Sequence, residues 1–418
     1  MSAKEIKVLA LPIDIQEDAT YSIEQPNPNS YTHGFFKYPC KFIPEIPRWA
    51  IAKYATAEAN SCIYDPFSGS GTTLLEASLR GMQSYGSEID ATAQLITRAK
   101  TTPLTDEQLE QLEAIFDSLI GAINNDGAPT TIAPITNIEH WFPVATITHL
   151  GRLRYAIEHI TDNVIRDFFS TCFAAIIKKV SYADDVSPKP YVSTKIKKSP
   201  LSVEREFRST YTRYKEAISQ LSAVVPLGGV TLLEGGASNL NLVSAVDLAI
   251  TSPPYINAFD YARSMRLENL WLGYATEQEI RESKQHYVGT ESIKDYKKFS
   301  TDNHLVSSEL LSHYIEQIIA TDQKRAAIVN RFFEDMQTNL QLVYRALKPK
   351  SKYVIVIGNS NIRNVNIESW KVLKEIALSL GYTYETHFSY KIKNPYIRIP
   401  REGQGGNINI DHILVVSK

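Results

Sequence analysis

Ser61–Asp90 reads SCIYDPFSGSGTTLLEASLRGMQSYGSEID. Ser61–Tyr64 has the short apolar pattern of a buried strand. Asp65–Thr73, DPFSGSGTT, is a glycine-rich turn. Thr72–Leu79 places alanine and leucine at helical spacing, and Gly81 supplies a stop. Ser84–Ile89 reads as a second strand. Strand, turn, helix and strand in this order make a βαβ unit, which predicts a parallel sheet with right-handed crossovers.

The turn also suggests a ligand. Gly69 and Gly71 let the backbone bend sharply and approach a bound molecule. The helix that follows directs free N–H groups at the turn, where a carboxylate or phosphate can sit. The turn is neither GxGxxG nor a P-loop, since no lysine follows the glycines, which argues against a nucleoside triphosphate. An acid after the next strand can hold ribose hydroxyls, and Glu88 stands there with Asp90 beside it. A ligand with a ribose and a carboxylate but no phosphate fits S-adenosylmethionine. The alternative is a tight turn that serves packing alone, with a solvated acidic pair.

Farther along, Val246–Ile250 (VDLAI) reads as a buried strand that runs into Thr251-Ser252-Pro253-Pro254-Tyr255. Proline cannot donate to a sheet ladder and disfavours helix for its predecessor, so the strand ends in a rigid corner. Ligands of parallel α/β sheets sit beyond the carboxyl ends of strands. There Ser252 offers a hydroxyl acceptor, the Pro253 carbonyl a second acceptor, and Tyr255 a flat face. Two acceptors and a ring suit a planar heterocycle bearing an amino group. The plainer reading is a proline-stiffened turn with a satisfied serine.

The rest of the chain places these motifs in an α/β frame. Residues 1–30 read as irregular, and helical periodicity follows from Phe42 to Ala55. The stretch 101–225 reads as mainly helical, with a polar loop at 181–200. Strand signals resume at Val230–Gly235, Val246–Ile250, Lys352–Ser360 and Ile408–Lys418. The expected fold is therefore a Rossmann-like α/β sheet with a mainly helical insertion. It divides into 1–100 for donor binding, 101–225 as the insertion with target recognition as a candidate role, and 226–418 with the Pro-Pro corner. The chain has 418 residues, 43% apolar and 22% charged, which is globular in composition. Its net charge of −2 gives no global field for nucleic acid, so such binding needs a local basic surface. Its three cysteines form no CxxC pair, so neither a disulfide framework nor a zinc knuckle is suggested, and a reducing, cytoplasmic setting is expected. No signal peptide, membrane span or metal-ligating constellation is legible.

DPFSGSGTT and TSPPY together resemble the amino-group DNA methyltransferases, which modify N4 of cytosine or N6 of adenine. Thr32–Ile51 (THGFFKYPCKFIPEIPRWAI) is similar to the family's motif upstream of the glycine turn. Asp260–Gly273 and Val343–Ser360 resemble segments that follow the catalytic tetrapeptide. The likeness covers residues 31–100 and 226–418. It implies a donor site of Asp65, Phe67, Ser68, Gly69, Gly71, Thr72, Glu88 and Ile89, with Lys41 at the methionine carboxylate. Relatives often carry Gly-Asp-Ala before the catalytic strand. This chain has Gly235-Gly236-Ala237, so Ser238 or Asn239 would stand in for the missing acid. Ser252, Pro253, Pro254 and Tyr255 would hold the target base. The serine form of the tetrapeptide is typical of N4-cytosine enzymes and the aspartate form of N6-adenine enzymes.

A base inside a duplex must be flipped out to reach such a corner, at a cost of a few kcal/mol. Phosphate contacts from basic side chains would offset that. Lys195, Lys197 and Lys198 belong to a lysine-rich loop with Tyr182 and Tyr191 interleaved, and Tyr390–Arg401 is a second basic-aromatic stretch. Asp260, Tyr261 and Arg263 follow the corner closely enough to border a base. Each of these could equally be an ordinary solvated face. The expected partner is double-stranded DNA, with a cognate restriction endonuclease as the second. The competing expectations are an RNA or tRNA base-amine methyltransferase and an inactive donor-binding recognition subunit.

Overall fold

The computed structural model describes the chain except for residues 1–4, 25–27, 40, 42, 56–60, 196, 234, 236–242, 257–259, 294–295, 301–305 and 394–408. Its strands are β1 (Glu5–Val8), β2 (Thr20–Ile23), β3 (Cys62–Asp65), β4 (Gln83–Ser87), β5 (Val230–Leu233), β6 (Val246–Thr251), β7 (Leu347–Gly358), β8 (Ser360–Ile362), β9 (Val365–Ile367), β10 (Thr383–Lys391) and β11 (Ile410–Ser417). Nine of them form one sheet in the order β1-β2-β10-β11-β7-β6-β3-β4-β5, and β8 and β9 pair separately. Neighbours in the large sheet are parallel, except that β11 runs antiparallel to both β10 and β7. This is the expected Rossmann-like sheet. From β3 the chain moves outward through β4 to β5, then returns to β6 on the other side of β3. The strand order therefore reverses between β3 and β6, where a ligand crevice opens at the carboxyl ends.

The helices are α1 (Glu45–Tyr54), α2 (Thr72–Ser78), α3 (Ala91–Thr101), α4 (Asp106–Asn124), α5 (Ile138–Trp141), α6 (Val144–Glu158), α7 (Asn163–Ile177), α8 (Val203–Ser222), α9 (Tyr261–Ser264), α10 (Arg266–Trp271), α11 (Glu277–Ser283), α12 (Glu309–Ile319), α13 (Gln323–Ala346) and α14 (Ser369–Ser379). Alternation along the strands divides the sheet's apolar side chains between two layers. Ile63, Val354, Val356, Ile413 and Val415 pack with Trp49 and Ile51 of α1. Tyr64, Tyr353, Ile355, Leu414 and Val416 pack with Phe332, Met336 and Leu340 of α13 and with Leu373 of α14.

The stretch 101–225 is helical as expected, holding α4 to α8. Its core is continuous with the sheet's flanking helices. Phe116, Phe169, Phe207 and Tyr211 belong to one apolar cluster with Leu75 of α2, Ala99 of α3 and Trp271 of α10. Phe116 stacks on Tyr211 at 3.9 Å between ring centres. Each fully buried leucine or phenylalanine there contributes about 1.5–3 kcal/mol, so these helices hold α3 and α10 firmly against the site.

Two expectations are corrected. Residues 1–30 contain β1 and β2, too short to show an alternation of their own; β2 is ordered by pairing with Ser389 and Tyr390 of β10. β10 itself was not expected, because its polar residues mask the pattern. His387 and Ser389 are buried there through hydrogen bonds to Asp18 at 2.8 Å and Thr20 at 3.0 Å.

Candidate active site

The turn after β3 is held from behind by α3. Thr97 and Lys100 lie three residues apart, on one helical face. The Thr97 hydroxyl donates to the Gly69 carbonyl at 3.1 Å, and the Lys100 ammonium donates to the Ser70 carbonyl. Lys100 is fully buried, and that burial lowers its pKa well below the ordinary lysine value. Gly69 and Gly71 both have positive φ, at 50° and 75°. A Cβ on Gly71 would stand 2.8 Å from Thr97 Cγ2, and one on Gly69 would stand 3.2 Å from the Tyr38 ring. Gly71 is thus required for the turn to seat on α3, while Gly69 lets the turn lie under Tyr38.

A cavity of about 470 Å³ opens beyond this turn, within the range of small-molecule sites. Phe67, Ser68, Gly69, Thr72, Glu88, Ile89 and Lys41 line it, as do Ser252, Pro254 and Tyr261. The turn after β3 and the corner after β6 therefore face one space, although 186 residues separate Asp65 from Thr251. A direct bond joins the two strand ends, with the Thr251 hydroxyl donating to Asp65 Oδ1 at 2.6 Å. Asp65 also accepts from the Phe67 amide at 3.0 Å and is fully buried. Burial pushes its carboxyl up to about 6, against the Thr251 hydroxyl bond. It braces the crevice and does not line it.

Glu88 Oε1 accepts from the Ile89 and Asp90 amides at 2.8 and 2.7 Å, which aims the carboxylate. Burial pushes its pKa up to about 7; those amides oppose the shift and the Asp90 charge adds to it. Lys41 donates to the His33 carbonyl at 2.6 Å. Burial brings its pKa down to about 8, with Glu45 opposing. Asp90 serves structure instead, capping α3 through the Ala93 amide at 2.9 Å and accepting from Asn269 at 2.9 Å.

At the corner, Ser252 and Pro254 reach the cavity wall, whereas Pro253 is buried and does not. Tyr255 is off the wall, with its hydroxyl donating to Asp411 Oδ1 at 2.6 Å. Asp260 caps α9 through the Arg263 amide at 3.0 Å and pairs with Lys284 at 3.1 Å. Arg263 points to solvent, away from the cavity wall.

The lysine loop is divided. Lys195 and Lys197 are exposed, whereas Lys198 donates to the Lys178 and Ala183 carbonyls at 2.8 and 3.1 Å and pairs with Asp185 at 2.8 Å. Lys198 closes its own loop and is not a free cation. Ser238 and Asn239 lie outside the described residues, as does most of the basic stretch ending at Arg401. Sequence reasoning missed Tyr38, Tyr287, Arg331 and Asp335 on the cavity wall. The last two form an ion pair at 3.0 Å one turn apart on α13. Glycine spacing offers no sign of them; an i, i+4 charge pair on α13 was legible only as an exposed helix face. Among the described residues, no group of three or more His, Cys, Asp or Glu side chains is placed to hold a metal ion. Nor is any described helix long and apolar enough to cross a membrane.

Comparison with known proteins gives this geometry a context. The family model described as DNA methylase matches residues 14–98, which contain the glycine turn and Glu88. The chain is 24% identical over 419 residues to the type II methyltransferase M.MvaI of Kocuria varians, covering 94% of this chain and 90% of that one. The chain is thus similar, over nearly its whole length, to a type II DNA methyltransferase. It is also 23% identical over 408 residues to the type II methyltransferase M.BsoBI of Geobacillus stearothermophilus, covering 81% and 76% of the two chains. Among solved structures, an S-adenosylmethionine-dependent methyltransferase of Methanosarcina mazei aligns over 88% of this chain and 96% of that one, with 9% identity and a TM-score of 0.31. The fold assignment rests on the strand order itself. The family's methyl donor is S-adenosylmethionine, and the cavity fits such a molecule. It has a turn that side chains would obstruct, an aimed carboxylate at Glu88 and an ammonium at Lys41.

Proposed function

We propose that this protein methylates the exocyclic amine of a base flipped out of duplex DNA, with N4 of cytosine as the target. The observation that carries this reading is the shared cavity, in which Ser252 and Pro254 of the corner stand on the same wall as the glycine turn and Glu88. Bound there, S-adenosylmethionine supplies an electrophilic methyl group. Glu88 would accept from the ribose hydroxyls, Lys41 would pair with the methionine carboxylate, and Phe67, Ser68, Thr72 and Ile89 would shape the bed. Ser238 is retained as a proposed contact at the adenine end.

An exocyclic amine is a weak nucleophile because its lone pair is delocalised into the ring. The Ser252 hydroxyl on the cavity wall would accept one of its hydrogens, and the Pro253 carbonyl, behind the wall until a base enters the corner, would accept the other, drawing nitrogen towards a tetrahedral form with its lone pair on the methyl group. A rigid corner suits this role, since transfer depends on near-attack geometry. The proton released as the amine gains its methyl group would leave through the Ser252 contact to solvent. No covalent bond between enzyme and base is required. Tyr261 would flank the base from the cavity wall, Tyr255 would hold the corner behind it, and Lys195 and Lys197 would contact phosphate.

Serine at the first position of the tetrapeptide favours cytosine over adenine, by the family's pattern. The reading extends to a setting in which methylation shields a site from a partner endonuclease in the cytoplasm. Mass spectrometry of nucleosides from DNA treated with protein and donor tests it. N4-methylcytosine is expected. N6-methyladenine would replace the cytosine assignment, and methyl label in tRNA without label in DNA would replace the DNA assignment.

A further inference from the structure

Asp411 lies on β11, at the edge of the segment resolved as the last strand, and 156 residues from Tyr255. Its side chain is only 5% exposed. One carboxylate oxygen accepts from the Tyr255 hydroxyl at 2.6 Å, and the other accepts from the Tyr390 hydroxyl at 2.7 Å. Two short bonds to a carboxylate are charge-assisted and stronger than neutral ones. Tyr390 is the cross-strand partner of Asp411, so β10 and β11 present the carboxylate as a unit. On its other side, in the ladder with β7, Asp411 faces Gly358 at the end of that strand, which lies beside β6. The sheet thus delivers a buried acceptor to the corner from two strands away.

We propose that Asp411 is a positioning residue for methyl transfer. By accepting the Tyr255 hydroxyl it fixes the last residue of the Ser252–Tyr255 corner, and Tyr390 holds Asp411 in place. The phenol of Tyr255 is then occupied as an anchor and takes no part in proton transfer, leaving the ring and the corner's backbone as its contribution. This rests on the proposed base-amine methylation for its kinetic consequence, though not for the anchor itself. The backbone has a second constraint at this point, since the Tyr255 carbonyl lies against Gly289, whose added Cβ would stand 3.1 Å from it. Releasing the hydroxyl removes the ring's polar restraint and leaves its packing against the apolar layer, while the carbonyl stays confined. The loss is therefore expected in geometry at the reacting amine, not in donor binding.

A double-mutant cycle tests this with full-length protein. Methyl transfer from labelled S-adenosylmethionine is measured on unmethylated DNA and on tRNA, and 3-fluorotyrosine is placed at position 255 for fluorine NMR. Tyr255→Phe and Asp411→Asn should each lower kcat about tenfold to a hundredfold, with donor affinity within about twofold of wild type. The double variant should be no worse than Tyr255→Phe alone, since Asp411 acts through that hydroxyl. Multiplying losses would overturn the proposal, as would full kcat in Tyr255→Phe. Should Asp411→Asn fail to fold, Tyr390→Phe takes its place. It keeps the Tyr255 bond and should cost less than Tyr255→Phe, while an equal or larger loss overturns the assignment. The fluorine resonance at position 255 should move in Asp411→Asn or, in its place, in Tyr390→Phe, and an unmoved resonance refutes the anchor. A wild-type protein that labels neither nucleic acid defeats the functional reading alone, and the resonance then decides the anchor.

Discussion

Gly71→Ala should damage the donor site by a calculable amount. Gly71 has φ of 75°, where a side chain costs about 1–2 kcal/mol. Its new Cβ would meet Thr97 at Cγ2 2.8 Å, Oγ1 3.0 Å and Cβ 3.2 Å, all on one side chain of a buried helix face. Forcing a methyl group into such packing costs about 1–3 kcal/mol. The combined destabilisation is about 2–5 kcal/mol. Thr97 is also the residue whose hydroxyl holds the Gly69 carbonyl, so relief of the clash moves the donor turn. Even 1.4 kcal/mol appearing in the turn lowers donor affinity about tenfold. Urea denaturation and calorimetric titration with S-adenosylhomocysteine measure the two parts. Thr97→Ser removes the nearest atom and keeps the hydroxyl, so in that background Gly71→Ala should cost less by part of the packing penalty, while the contacts with Oγ and Cβ and the φ penalty persist. Stability and affinity in Gly71→Ala equal to wild type would refute the packing account of this glycine.

The other expectations concern charge and the reacting corner. Lys195→Glu with Lys197→Glu should weaken DNA binding and reduce the salt slope by about 2, read by titration at several salt concentrations. Lys198→Met should instead destabilise its loop, with little change in that slope. Ser252→Ala should lower kcat about a hundredfold, by analogy with loss of one polar contact to developing charge, while donor titration is unchanged. Donor affinity should rise as pH climbs through about 7, where Glu88 ionises, and decline as pH passes about 8, where Lys41 loses its proton. Glu88→Gln should remove the rising limb and Lys41→Met the falling one, by calorimetry across that range.

What the sequence alone determined is local in origin. DPFSGSGTT declares its turn because positive φ demands glycine, and Glu88 follows the next strand at a fixed distance. SPPY declares its corner because proline cannot continue a ladder. The order of strand and helix signals then suffices for a parallel sheet. Tertiary structure decided which residues serve those motifs. Lys100 and Asp411 are ordinary charged residues in the sequence, and each becomes a buried brace through a partner 30 or 156 residues away. Asp65 changes from a candidate ligand contact to a bond across the crevice, because Thr251 arrives beside it only when β3 and β6 lie adjacent. Lys198 leaves the basic surface through folding of its loop, which brings the Lys178 and Ala183 carbonyls within reach of its ammonium. Backbone preference acts over a few residues and can be read along the chain. A hydrogen bond between distant side chains depends on strand register, which exists only once the sheet has formed.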